Sequence, residues 1–272
     1  HALLFSGQRG LGKFELAAAF AAGLLCEQSA GDGRACGRCL ACGWHAQGNH
    51  PDFRLVQPDA MAEVESEGEE AKDSKKKASR QITIDQIRAL DDFLSVGSHR
   101  AGLKIVLLCP AEAMNRATAN ALLKTLEEPA PDTVFLLVTH EPMRLLPTIR
   151  SRCQVVAIPL PEPALATQWL RHAGVDQPQE YLALAGGAPL LANDLAQSGQ
   201  GEWLASLVKQ LLLGEKLDPL ASAAVVDKLL KDSKGRWGLG QVVEWSQKWV
   251  VDLTLARNGL AVRYFVRHAD TI

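Results

Sequence analysis

A glycine-rich segment near the start of the chain has the residue types of a phosphate-binding loop. It reads GQRGLGKF over residues 7–14. In the pattern G-x-x-x-x-G-K-[ST], backbone N–H groups close around phosphates, the lysine reaches the terminal phosphates and the hydroxyl binds Mg²⁺. The segment keeps the glycines and the lysine, namely Gly7, Gly10, Gly12 and Lys13. Phe14 replaces the hydroxyl residue, and its ring cannot ligate a hard cation and would crowd the metal position. We therefore expect weak or absent binding of ATP or ADP and no hydrolysis.

The strand predicted over residues 104–109 lacks the other half of a Mg²⁺ site. This short apolar run, KIVLLC, is typical of a central parallel strand. In a nucleotide hydrolase the strand should end in acidic residues that hold Mg²⁺ and polarise water. Cys109 and Pro110 occupy that place, and we interpret Glu112, which lies past it, as an ordinary helix-entry residue. Two independent parts of a Mg²⁺ site are therefore absent.

Four cysteines after the first predicted helix have the spacing of metal ligands. Their pattern is C-x9-C-x2-C-x2-C, formed by Cys26, Cys36, Cys39 and Cys42. Two-residue gaps let successive thiolates turn onto one ion, and four sulfur ligands suit a closed tetrahedral Zn²⁺ site. The alternative is a set of free thiols or disulfides in a loop. His45 and His50 follow closely, but four cysteines leave them no vacancy, so we expect a structural zinc site.

Strand and helix patterns alternate around these residues. Short apolar or β-branched runs predict strands at residues 3–5, 52–56, 104–109, 134–138 and 154–160. Apolar residues at helical spacing predict helices that begin after Gly12, near Thr83 and at Asn115. The alternation over residues 1–160 predicts the α/β class, with a parallel sheet covered by helices on both faces.

Composition excludes several classes of protein. The 272 residues carry a formal net charge of -2, which gives no overall attraction to nucleic acid or to an anionic membrane. No apolar run approaches the length of a membrane span and no secretory signal is visible, so we expect a cytoplasmic protein without a membrane partner. We also expect residues before His1, which already lies in a predicted strand. The charged segment from Asp59 to Arg80 predicts a mobile surface loop.

Five segments in order, GQRGLGKF, the cysteine cluster, ITIDQIR, NALLKTLEEP and TIRSRC, resemble the bacterial sliding-clamp loader ATPases of the AAA+ class. The resemblance covers residues 1 to about 197. These proteins are subunits of DNA polymerase III. The gamma/tau type has a hydroxyl after the lysine and an acidic strand end, whereas the delta-prime type has lost both. Phe14 and the Cys109-Pro110 pair are similar to the delta-prime type. The alternative is an active, ATP-hydrolysing gamma/tau type.

The resemblance implies a role in DNA replication. A delta-prime-type subunit is a non-hydrolysing stator in a hetero-pentameric ring with gamma/tau and delta subunits, within a DNA-directed DNA polymerase (nucleotidyltransferase) holoenzyme. Through the complex it helps to load the sliding clamp onto primer-template DNA. Its motif Ser151-Arg152-Cys153 supplies an arginine finger in trans, and such fingers change rates by about 10³ to 10⁵. Spacing alone favours a surface arginine in a salt bridge at a strand entry over a finger, and only the surrounding motif reverses this preference for Arg152. Arg144 and Arg150 are weaker candidates for the finger.

The resemblance also implies three domains. Residues 1–160 would form the AAA+ α/β domain, with the zinc module at residues 26–42. Residues 161–198 would form a three-helix lid, and residues 199–272 part of a helical collar that joins the subunits. We expect the tryptophans of this last segment to pack in its core or at an interface rather than to stack on bases. A stand-alone zinc-bearing DNA-binding module is a further alternative, but the balanced charge and the lack of a basic recognition helix count against it.

Overall fold

The computed structural model describes residues 1–29, 31–61, 79–99, 102–198, 200–232 and 238–272. They form two compact units, His1–Pro159 and Leu160–Ile272. Most of the predicted mobile loop between Asp59 and Arg80 lies outside the described residues. Within the described ranges, no helix combines the length and the apolar character that crossing a bilayer requires.

The first unit is built on a five-stranded sheet in the order β2-β3-β4-β1-β5. Every pairing is parallel, which confirms the predicted sheet. The strands are β1 (Ala2–Ser6), β2 (Phe53–Val56), β3 (Lys104–Leu108), β4 (Thr133–Thr139) and β5 (Gln154–Ala157). All residues of β3 are buried, as expected for a central strand in a sheet covered on both faces. Because β1 lies between β4 and β5, the loop after Ser6 emerges beside the carboxyl ends of both neighbours.

Helices cover both faces of this sheet. They are α1 (Lys13–Leu25), α2 (Leu40–Ala46), α3 (Ile84–Ser95), α4 (Arg116–Glu127) and the single turn α5 (Pro147–Arg150). Alternate strand residues point to opposite faces, so Val106 and Leu108 pack with α3 and α4, whereas Ile105 and Leu107 pack with α1. Thr83 begins α3 with a capping box, in which its side chain and that of Gln86 accept each other's backbone N–H.

The second unit is helical. Its helices are α6 (Pro163–His172), α7 (Pro178–Leu184), α8 (Pro189–Gln197), α9 (Gln200–Leu211), α10 (Pro219–Asp232) and α11 (Leu239–Arg257). Trp203, Trp245 and Trp249 are buried in its core, which confirms that they pack rather than stack on bases. The same core contains Leu170 of α6 and Leu195 of α8. The division of this unit into a lid and a collar stays a prediction.

Candidate functional site

The loop between β1 and α1 has the backbone of a phosphate loop. Gly10 and Gly12 have φ of 81° and 76°, in the left-handed region that favours glycine. At Gly7 a Cβ atom would lie 2.6 Å from the carbonyl oxygen of Ile158, so the approach of these two backbones excludes a side chain. The three glycines are therefore required by the conformation of the loop itself.

Lys13 points its amine back into this loop. The side chain is 2% exposed, and Nζ donates a hydrogen bond to the carbonyl oxygen of Gln8 at 2.5 Å. Burial lowers the pKa of Lys13, and the negative charge of Glu112 opposes that shift. Phe14, the next residue, is half-buried and packs against the core beneath α1. The position of the metal-binding hydroxyl is thus occupied by a core side chain.

Glu112 joins the ends of two neighbouring strands at the same edge of the sheet. It lies in the 3-10 turn Ala111–Ala113 that follows Cys109 and Pro110. Its Oε1 accepts a hydrogen bond from the backbone N–H of His140, directly after β4, at 2.9 Å. The interpretation of Glu112 as an ordinary helix-entry residue is therefore incomplete, because its carboxylate also acts on the buried amine of Lys13.

His140 is the third titratable residue at this edge of the sheet, beside Lys13 and Glu112. Burial lowers the pKa of His140, and the positive charge of Lys13 lowers it further. Among the described residues, His140 Nδ1 and Glu112 Oε2 are buried side-chain atoms without a hydrogen-bond partner. The edge of the sheet thus holds a buried amine, one carboxylate and an imidazole whose neutral form is favoured. It lacks a pair of acids at the end of β3.

The four predicted zinc ligands converge. Their Sγ atoms all lie within 4.8 Å of one another. Cys26 and Cys39 have Sγ atoms 4.0 Å apart, and Cys36 and Cys42 have Sγ atoms 3.9 Å apart. A tetrahedral site with Zn–S bonds of about 2.3 Å requires about 3.8 Å between sulfur atoms. The arrangement therefore fits a Zn²⁺ ion with little movement of the side chains.

Backbone N–H groups point at these sulfur atoms. Cys36 N–H donates to Cys26 Sγ at 3.2 Å, and Cys42 N–H donates to Cys39 Sγ at 3.4 Å. Backbone N–H donors of this kind stabilise thiolates, and hydrogen bonds led by the one from the N–H of Arg38 lower the pKa of Cys36 to about 6. At Cys42 the effect of burial is larger and raises the pKa to about 12. The segment also lies directly against α1, where Gly23 approaches the carbonyl of Gly33 so closely that a Cβ would not fit.

The Ser-Arg-Cys motif lies in the turn between α5 and β5. Ser151 Oγ donates a hydrogen bond to the carbonyl oxygen of Thr148 at 3.1 Å. Cys153 is buried, and burial raises the pKa of its thiol to about 11, so it is a neutral packing group at physiological pH. Between them, Arg152 Nη2 forms an ion pair with Glu127 Oε1 at 2.5 Å, and Nη1 donates to Thr148 O at 3.0 Å.

The two other arginines near this motif make weaker contacts. Arg144 Nη1 lies 3.2 Å from Glu141 Oε1 in an exposed pair. Arg150 Nη1 lies 3.5 Å from the sulfur of Met143.

The ion pair between Arg152 and Glu127 is the salt bridge that spacing alone suggested for Arg152. Its partner, Glu127, was not predicted, because only the folded chain brings the end of α4 to this turn.

Comparisons with known proteins identify the family. Residues 1–162 match the family described as DNA polymerase III, delta subunit. A DNA polymerase III subunit delta' from Pseudomonas aeruginosa is 43% identical over 250 residues, which cover 88% of this chain and 71% of that protein. The subunit delta' from Yersinia pestis is 37% identical over 206 residues, 72% of this chain and 55% of that protein.

A solved structure, a DNA polymerase III gamma subunit-related protein from Thermotoga maritima, has 20% identity and a TM-score of 0.41, covering 93% of this chain and 73% of that one. The chain spans 71% and 55% of the length of the Pseudomonas and Yersinia relatives. Both the match over residues 1–162 and the identity to these relatives agree with the resemblance seen in the sequence motifs. The chain therefore belongs to the delta-prime family of DNA polymerase III subunits.

Proposed function

We propose that this chain is a non-hydrolysing stator of a clamp loader. It would assemble with gamma/tau and delta subunits in a five-membered ring that places the sliding clamp on primer-template DNA. One observation carries the proposal: Phe14, at the position of the metal-binding hydroxyl, is half-buried and packs against the core cluster that contains α1. Phe14 supplies no hydroxyl and Cys109 supplies no carboxylate, so the loop keeps its shape without the groups that hold Mg²⁺.

We further propose that Arg152 acts on the ATP site of a neighbouring subunit. Its side chain is 35% exposed, so the guanidinium is accessible to a partner. A guanidinium presented across an interface stabilises the charge that develops on a transferring phosphoryl group. Ser151 and Cys153 flank Arg152 in the chain. Ser151 Oγ donates to the carbonyl oxygen of Thr148, which also accepts from Arg152, and Cys153 is buried in the core.

For the cysteine cluster we propose a structural zinc ion, held by Cys26, Cys36, Cys39 and Cys42. Four thiolates fill a tetrahedral coordination shell and leave no open position for a water or a substrate. Such an ion would fix the irregular segment between α1 and α2 against the end of α1. It would take no part in phosphoryl transfer.

The test is steady-state ATP hydrolysis by a reconstituted clamp loader that contains this chain. Because the finger serves the site that faces it, Arg152→Ala should lower turnover at that site by about 10³ to 10⁵ without preventing assembly. Arg88→Ala, which removes an exposed, ion-paired arginine of α3 away from the Ser-Arg-Cys motif, is the matched control and should leave turnover unchanged. The isolated chain should show no turnover. Turnover by the isolated chain that Lys13→Ala abolishes would instead identify a motor subunit.

A further inference from the structure

We propose that Glu127 is the positioning residue of Arg152, which it holds in the direction required to meet the phosphoryl group of a neighbouring subunit. The inference rests on the proposed role of Arg152. It concerns a residue that would act on the neighbouring site only through the arginine.

Two contacts fix the guanidinium at both of its terminal nitrogens. Nη2 pairs with Glu127 Oε1 at 2.5 Å, and Nη1 donates to the carbonyl oxygen of Thr148 at 3.0 Å. Glu127 is the last residue of α4, and Thr148 lies in α5, so both anchors belong to packed elements. A planar group held at two nitrogens keeps one orientation, whereas a free arginine side chain samples many rotamers.

The remaining donors of Arg152 stay available. A guanidinium carries five N–H donors, and each of the two contacts uses one of them. Three donors are left for phosphate oxygens. The side chains of Arg152 and Glu127 are 35% and 49% exposed, so a partner can reach the pair. The geometry thus orients the arginine without using up its capacity to bind.

The exposure of the pair also argues against a purely structural role. Ion pairs on protein surfaces contribute little to folding stability, because solvent and salt screen them. The contact joins the last residue of α4 to the turn that follows α5, so it ties the guanidinium to a separate packed helix.

The experiment uses a reconstituted clamp loader in which only the ATP site facing this subunit is active. Glu127→Gln keeps the size of the side chain but removes the charge that holds Arg152. We expect kcat to fall about 10- to 100-fold, the cost of a misplaced catalytic group, with KM for ATP unchanged because ATP binds on the neighbour. Glu127→Asp should recover part of the rate. Glu128→Gln, which alters the exposed carboxylate next in the chain, is the matched control and should leave kcat unchanged.

The outcomes separate this inference from the proposed function. If Arg152→Ala has no effect, the finger role and the inference both fail. If Arg152→Ala lowers kcat and Glu127→Gln does not, the inference alone fails. A rise in kcat with Glu127→Gln would show that Glu127 sequesters the arginine, which also overturns it. A positioning role further requires that Glu127→Gln adds nothing in an Arg152→Ala background, with assembly and thermal melting unchanged.

Discussion

The amine of Lys13 and the carbonyl oxygen of Gln8, five residues apart in one loop, form a hydrogen bond of 2.5 Å. A phosphate loop that binds nucleotide needs this amine for the terminal phosphates. Here the loop satisfies the lysine internally, and the carboxylate of Glu112 lies near enough to oppose the loss of its charge through burial. In this structure the lysine is thus a buried amine held by a hydrogen bond within its own loop.

The Lys13→Ala variant should lower the stability of the first unit rather than its affinity for nucleotide. The change removes a buried hydrogen bond and leaves Glu112 without its neighbouring positive charge. We expect a loss of about 1–3 kcal/mol in the free energy of unfolding, the cost of leaving buried polar groups unsatisfied. Chemical denaturation of wild type and variant measures it.

Lys124→Ala is the matched control, because Lys124 is an exposed lysine on α4. Its free energy of unfolding should stay within about 0.5 kcal/mol of the wild type. An unchanged stability in Lys13→Ala, together with a loss of measurable ATP binding, would contradict this prediction and show that Lys13 binds the phosphates of a nucleotide.

Restoring the hydroxyl should not restore hydrolysis. Phe14→Thr returns the residue type that binds Mg²⁺ in working loops. The acids at the end of β3 would still be missing, since Cys109 and Pro110 follow that strand. We expect the isolated variant to show no Mg²⁺-dependent ATP turnover above the wild type, measured by phosphate release. Turnover gained by this single change would mean that Phe14 alone disables the site.

Much of the fold could be predicted from the sequence because its strands are short apolar runs. The run KIVLLC marked β3, whose residues are all buried, and the alternation of strands and helices indicated the parallel sheet. The convergence of the four cysteines was likewise predictable, since two-residue gaps already bring neighbouring thiolates together. The local spacing of residues along the chain is therefore enough to predict these strands and this cluster of cysteines.

Contacts between distant segments could not be predicted in this way. Glu112 meets the backbone of His140 only because β3 and β4 are adjacent and a 3-10 turn follows β3. Arg152 meets Glu127 only because α4 ends beside α5. Neither pair has a characteristic spacing, so Glu112 looked like an ordinary helix-entry residue, and Glu127 and His140 were not assigned from the sequence. The sheet order and the turn geometry decide both contacts.

The cysteine cluster predicts a metal content that can be measured directly. Purified chain should contain about one zinc per molecule by elemental analysis, since four thiolates complete one tetrahedral shell. Cys36→Ser should abolish bound zinc, because a serine hydroxyl is a poor ligand and the three remaining sulfur atoms leave the shell open.

Cys153→Ser is the control for the loss of a cysteine outside the cluster. Cys153 is buried at the end of the Ser-Arg-Cys motif and is absent from the group of converging thiols. Its variant should retain the full zinc content. Equal zinc in wild type and Cys36→Ser would refute the assignment of the cluster as a zinc site.

In the second unit, Asp252 should be a major source of stability for the segment after α11. The side chain is fully buried, and its two oxygens accept hydrogen bonds from the backbone N–H groups of Arg263, Tyr264 and Phe265 at 2.7–3.2 Å. Asp252→Asn replaces one acceptor with a donor that faces these N–H groups. We expect a loss of about 1.5–3 kcal/mol, typical of a hydrogen bond to a charged group.

Hydrogen exchange localises this effect. The amides of Tyr264 and Phe265 should exchange at least about 10-fold faster in Asp252→Asn, because a loss of 1.4 kcal/mol corresponds to a factor of about ten in the opening equilibrium. Asp270→Asn, which changes an exposed carboxylate of the same unit, should leave their exchange unchanged. Unaltered protection of these amides in Asp252→Asn would mean that the packing of Phe265 against Trp245 and Trp249 holds the segment without the carboxylate.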